Sequence, residues 1–339
     1  MHYWSDRGVR LFVVDGSEVG LTSLHLDSLK DTIHYLHCPN SLFTERLEKV
    51  INLISTKYVA MISDDEFFIP SALISCIKEL EVNKDLVSCG GLCIQFNYKK
   101  NKVNGRRFYQ SMKNYTLLHD NPFERMLAHM NPYTPSSIYS VVRSEVWKRS
   151  YLTTFKNQFK ANCLLELQFE LAVCYHGKSK VISEVMWLRS NELLPIKNSN
   201  ESSLHSEISF ESWWNNPCKI NERNELLSNM ANTLMNNKND FERIKLGITQ
   251  ALDLYAMQNK KNLQSAAEIF RDYIMISLWS SLPSTVKNIL RYILNPFKKF
   301  NTTESLLLVA RRWHLEGIKV DFKALLEIEN VLHKFYKTK

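Results

Sequence analysis

Tyr58 to Pro70 reads YVAMISDDEFFIP, in which five apolar residues run into three consecutive acids and then a proline. A short apolar run with β-branched and aromatic members fits a strand buried on both faces, as in the middle of a parallel sheet. Asp64, Asp65 and Glu66 then stand at the C-terminal end of that strand, the edge at which open α/β sheets bind ligands. Three adjacent carboxylates repel one another unless a positive charge lies among them. Hard oxygen donors of this kind suit Mn²⁺ or Mg²⁺, held by one or two carboxylates together with the phosphates of a substrate. Capping of the helix after Pro70 accounts for one of these acids, but not for three.

Outward from this stretch the chain alternates strands and helices. Val9 to Asp15 predicts a second buried strand ending in an acid, with Gly16 and Ser17 as turn residues. Ser41 to Thr56 and Ser71 to Val82 have helical spacing, and Leu86 to Phe96 reads as a strand. These lengths imply right-handed parallel crossovers. Beyond them come a helix at Asn121–Met130, a strand at Ser137–Val142, a helix at Ala161–His176 closed by Gly177, and a strand at Lys180–Leu188. A polar linker is expected over residues 196–220, dividing an α/β region, 1–195, from an all-helical region, 221–339.

The 339 residues, 45% hydrophobic and 23% charged, describe a globular chain. No run approaches the roughly 18–20 apolar residues of a membrane span, and MHYWSDRGVR lacks the apolar core of a leader. A cytoplasmic location is therefore expected. Seven cysteines without a C-x-x-C pair argue against a disulfide framework or zinc site and are read as reduced thiols. The net charge of +8 is concentrated: Gln95–Tyr115 carries six Lys/Arg and no acid, and Thr285–Lys339 carries eleven against five acids. Such segregation favours phosphates, anionic headgroups or nucleic acid as partners. Tyr273–Phe300 mixes aliphatic and aromatic residues with lysine and arginine, a composition suited to peripheral contact with an anionic membrane surface at its inner face, although amphipathic packing against the α/β region is the commoner reading of such a segment.

The first 190 residues resemble a glycosyltransferase of the GT-A type, family 2, in the bacterial subgroup whose motif is three acids followed by Phe. The resemblance is carried by VVDGSE at 13–18, by the Tyr58–Pro70 stretch, by LLELQFELAVCYHGK at 164–178 and by VISEVMWLRSNE at 181–192. It implies a nucleotide-diphospho-sugar transferase sheet with flanking helices, followed by the helical C-terminal region. Asp15 matches the acid that contacts the donor nucleobase. Ser63 stands where the first acid of the DxD motif is usual, so Asp64 takes that role toward ribose or metal; Asp65 is the main metal ligand and Glu66 a further one. Glu166, eleven residues before Gly177, matches the catalytic acid, with Glu170 one turn on as the alternative. Arg189 matches a phosphate-binding arginine. The family's first strand, with its Pro-Thr-x-Asn-Arg signature, has no counterpart here, and HYWSDRG resembles the end of the helix that follows it.

The resemblance implies metal-dependent, inverting transfer of a sugar from a nucleotide-diphosphate donor to a glycan or lipid-linked acceptor. Local readings stay open beside it: Asp15 as a turn cap, Glu166 and Glu170 as a solvated helical stripe, Arg189 as a structural ion pair, and His176 as a ligand of its helix's last carbonyls. A catalytically silent relative that binds nucleotide or glycan as an assembly partner is the alternative function. Nucleic-acid binding is disfavoured by acids at the sheet edge, and nucleotidyl transfer by the lack of a Gly-rich phosphate loop.

Overall fold

A computed structural model describes residues 1–4, 7–27, 31–155, 161, 163–191, 208–258 and 304–337. The architecture is α/β. Strands β1 (Leu11–Asp15) and β2 (Ile33–His37) form a parallel pair linked through helix α1 (Ser23–Asp27). Helix α2 (Phe43–Ile51) leads to β3 (Tyr58–Val59), the turn bearing Asp64 and Asp65, and β4 (Phe67–Phe68). Helix α3 (Pro70–Val82) starts on a proline, whose missing N–H is free of cost at a first helical position. It is followed by β5 (Leu86–Lys99), β6 (Lys102–Phe108) and β7 (Thr116–Leu117). Then come α4 (Pro122–His129), β8 (Val141–Arg143), α5 (Ser144–Phe155), α6 (Leu164–His176) and β9 (Lys178–Ser190).

The central strand is β5, not the acidic stretch. Leu86–Phe96 is buried at every position, with β9 parallel on one side and β8 antiparallel on the other, while β6 takes up its C-terminal half. The expected interior strand at Tyr58 proves to be two half-buried residues paired antiparallel with β8. The parallel crossovers expected between Val9–Asp15, the Tyr58 stretch and Leu86–Phe96 do not form adjacent pairs, because β1 pairs with β2 and β8 lies antiparallel between β3 and β5. The parallel pairs are β1–β2 and β5–β9, and the remaining pairings are antiparallel. β1 and β2 form a sheet of their own among the described residues. Gly90 and Gly91 permit this crowding at β5. A side chain at Gly90 would stand on Ser140 Oγ, and one at Gly91 on Met186 and the Glu184 carbonyl.

The C-terminal region is packed onto this sheet. Phe210, Trp213 and Trp214, within the stretch expected to be linker, are buried together with Leu167 and Leu171 of α6 and Met126 of α4. Aromatic surface of that size is a large favourable burial term, so the helical region begins at Phe210 rather than after it. Glu304–Ser305 adds a short strand, β10, to the edge of β6, against the all-helical expectation. Leu306, Trp313, Leu325 and Ile328, on helices Leu306–Leu315 and Phe322–Lys337, share a core with Phe68, Ile94 and Met186. Tyr273–Phe300, residues 196–207 and the rest of 259–303 lie outside the described residues. No helix among the described residues is long and apolar enough to cross a membrane. All seven cysteines are free, five of them buried.

Candidate active site

Strand pairing places Arg189 and Glu66 together. Phe67 and Phe68 of β4 face Leu188 and Trp187 of β9, so the residue before β4 meets the residue after Leu188. Glu66 is 8% exposed; its Oε2 accepts from Trp187 Nε1 at 2.7 Å, and its Oε1 lies 3.9 Å from Arg189 Nε. Burial pushes its carboxyl up to about 7, against the opposing pull of Trp187 and Arg189. The acidic turn therefore divides. Asp64 is exposed and Asp65 half-buried at its surface, while Glu66 is turned inward onto Trp187. Glu66, expected as a further metal ligand, thus faces protein groups with both oxygens, closely at Trp187 and more distantly at Arg189. Among the described residues no three His, Cys, Asp or Glu side chains converge into a metal cage.

Around Arg189 the lining is aromatic. Its guanidinium donates to Tyr109 Oη and lies 5.3–5.6 Å from the ring centroids of Phe108, Tyr109 and Trp187. Trp187 stacks on Tyr139 at 4.0 Å and on Tyr109 at 5.8 Å. Tyr109 holds a left-handed backbone, φ 45°, which is costly for a bulky residue and concentrates at functional sites. Arg189 is thus both an ion-pair partner of Glu66 and a cation at the end of β9, a third of its side chain still exposed.

Glu166 enters from the first turn of α6. It is half-buried, accepts a hydrogen bond from Tyr133 Oη, and interacts electrostatically with Arg189, Glu170 and His129. Burial raises its carboxyl above the ordinary value, with Tyr133 and Arg189 pulling it down and Glu170 adding to the rise. Glu170, one turn on, has no exposed surface. Its oxygens accept from the backbone N–H of Ser137 at 2.9 and 3.0 Å and of Ile138 at 2.8 Å. His129 Nε2 lies 3.2 Å from it but out of line for a hydrogen bond, leaving an electrostatic contact. Glu170 therefore holds the loop that presents Tyr139 and has no exposed surface.

Asp15 caps its own turn. Oδ1 accepts from Ser17 N and Oγ, and Oδ2 accepts from Tyr35 Oη. Burial pushes its carboxyl up, but these hydrogen bonds outweigh it and hold the group below its usual range. His176 shows no partner at Nε2; burial, assisted by Arg149, pushes it down to about 4. Tyr133, Tyr139 and Trp187 were not singled out by sequence. Trp187 and Arg189 both fall in the 181–192 stretch, and Tyr109 is one of the aromatics interleaved with the basic residues of Gln95–Tyr115, but only the strand register joins them.

No protein-family model and no curated protein matches the chain. Among solved structures it is similar to S. aureus TarS, with 11% identity and a TM-score of 0.41 over 72% of this chain and 48% of TarS. It is also similar to TarS residues 1–349 in complex with UDP-GlcNAc, with 11% identity and a TM-score of 0.43 over 75% of this chain and 82% of that one. The chain spans about half the length of full TarS.

Proposed function

We propose that the protein is a glycosyltransferase that moves a sugar from a nucleotide-diphosphate donor to a hydroxyl of a glycan or lipid-linked acceptor. The observation that carries this reading is the position of Arg189, within electrostatic reach of Glu66 beside the acidic turn and of Glu166 on α6. A fixed cation between two sets of carboxylates is what a diphosphate leaving group and an attacking hydroxyl require on either side of a sugar.

In this reading the Arg189 guanidinium binds a phosphate of the donor, released from its long contact with Glu66. Asp64 and Asp65 offer two hard oxygen donors at the surface of the turn. Their number fits Mn²⁺ or Mg²⁺, which complete their shells with phosphate oxygens and water. Such an ion would offset the negative charge that builds on the departing diphosphate. Glu166 accepts the acceptor's proton as the hydroxyl oxygen bonds to the anomeric carbon and the carbon–phosphate oxygen bond breaks. Attack from the face opposite the leaving group inverts that carbon. The aromatic wall of Tyr109, Tyr139 and Trp187 excludes water, which strengthens each electrostatic term.

Binding is tested by thermal shift with a panel of nucleotide sugars, with and without Mn²⁺. A donor at a hundredfold excess over its Kd is expected to add about 2.7 kcal/mol of stability. Asp65→Ala is expected to abolish the metal-dependent part of that gain. A flat response to every nucleoside diphosphate sugar, in either metal condition, rejects the reading.

The acid limb of the pH profile tests Glu166. A base must be ionised, so turnover falls as pH drops through its raised folded-state value. Tyr133→Phe removes a donor that favours the ionised form and is expected to shift that limb of kcat/KM upward by about one pH unit, the equivalent of a single hydrogen bond to a charged group. A limb that moves down, or stays, assigns the proton acceptor elsewhere.

A further inference from the structure

We infer that the β5–β6 hairpin tip and the end of the C-terminal helix together form a docking surface for an anionic lipid bilayer. The inference does not rest on the proposed catalytic reading. Tyr98, next to the tip, stacks on Tyr336 at 4.3 Å, and its hydroxyl lies 3.2 Å from His333 Nδ1. Lys99, Lys100 and Lys102 flank these contacts along the hairpin and Lys334 and Lys337 along the helix, all five exposed. Neither Asn97–Arg106 nor Asn330–Lys337 contains an acid. Lys99, Lys100 and Lys102 make no ion pair with a carboxylate among the described residues.

Local folding accounts for only part of this cluster. Lysines in the last turn of a helix complement its terminal carbonyls. Those of the hairpin have no such partner, and one of them works against the turn. Lys100 and Asn101 have φ of 52° and 57°, the pattern of a two-residue type I′ turn that favours Asn or Gly at both positions. A lysine is thus kept at the tip despite its backbone cost.

Apolar surface lies among the charges. Phe335 is 49% exposed and Val331, one turn before it, is 37% exposed, beside Lys334 on the same helix. An exposed aromatic and aliphatic pair on the helix that carries Lys334 and Lys337 suits the interface of headgroups and acyl chains, where cations meet anionic lipid and apolar side chains enter the boundary. A purely ionic partner would leave Phe335 in water.

The test is co-sedimentation of the full chain with vesicles of phosphatidylcholine alone and with 30% phosphatidylglycerol, a composition of about one anionic lipid in three. Binding is expected only to the anionic vesicles and to weaken steeply with salt. Each lysine near such a surface contributes about a fivefold factor in affinity, so K99Q/K100Q/K334Q is expected to lose about 100-fold. Phe335→Ala is expected to lose the same several-fold factor at low and at high salt, since apolar insertion is not screened. Equal binding to neutral vesicles, or full binding by the triple variant, overturns the inference. So does retention on single-stranded DNA, with no effect of Phe335→Ala on vesicles, which assigns the surface to a nucleic acid instead. Circular dichroism of each variant separates lost binding from lost fold.

Discussion

Glu166→Gln is expected to lower kcat for sugar transfer by about 10²- to 10⁴-fold, the range attributed to a positioned general base. The substitution is close to isosteric. The Gln side-chain oxygen still accepts the hydrogen bond from Tyr133 Oη, so the first turn of α6 keeps its contact with the loop before Thr134. What is removed is the ability to take a proton. Because Glu166 carries a raised carboxyl value through burial, replacing it by a neutral amide also relieves a desolvation cost, and the variant is expected to unfold no earlier than the parent. Donor binding by thermal shift is expected to be unchanged, because the proposed reading assigns the phosphates to Arg189 and the acidic turn rather than to Glu166. Steady-state kinetics with release of the nucleoside diphosphate as the readout supplies the check. Retention of more than about a tenth of kcat would remove Glu166 from the proton-transfer step, since the smallest loss in that range is a hundredfold.

Much of the secondary structure was legible because the signals are local. Pro70 at the first helical position, Asn121 capping α4 through a bond to Phe123 N, and Gly177 after α6 each act within a few residues of their own element. Asp64 and Asp65 were found for the same reason, since they follow Tyr58–Ile62, whereas Arg189 came from the resemblance to a family motif. Pairing was not legible. YVAMI and LVSCGGLCI are both apolar runs, and periodicity does not say which takes the centre of the sheet. The long, fully buried β5 does so, helped by Gly90 and Gly91, which let Ser140 and Met186 approach its backbone. Side-chain direction was equally hidden. Asp65 and Glu66 are neighbours of like charge, yet a change of one residue entering an extended strand reverses the face a side chain takes. Glu66 therefore goes under Trp187 and Asp65 stays at the surface. The aromatic wall was invisible for a further reason: Tyr109, Tyr139 and Trp187 lie on three segments, and only the tertiary fold stacks them.

Glu170 offers the contrast that separates scaffold from chemistry on a single helix face. Glu170→Ala is expected to destabilise the protein by about 2–6 kcal/mol, the size of two stranded buried donors. Two backbone N–H groups, of Ser137 and Ile138, lose their acceptor in a region with no water-exposed route, and each stranded donor costs about 1–3 kcal/mol. The truncated side chain also leaves a void beside His129, itself fully buried. Glu170→Gln keeps the volume but turns an N–H₂ group toward donors, so it recovers only part of the loss. Both changes act on Ser137–Ser140, and with it on the stack of Tyr139 over Trp187. Denaturant unfolding supplies the measurement, a lower midpoint at unchanged m-value being the signature of lost stability. At temperatures where Glu170→Gln remains folded, its turnover is expected to fall far less than that of Glu166→Gln. A stable, inactive Glu170→Gln would reverse the two roles, because a carboxylate needed only to hold a loop cannot be missed by chemistry while the loop stays in place.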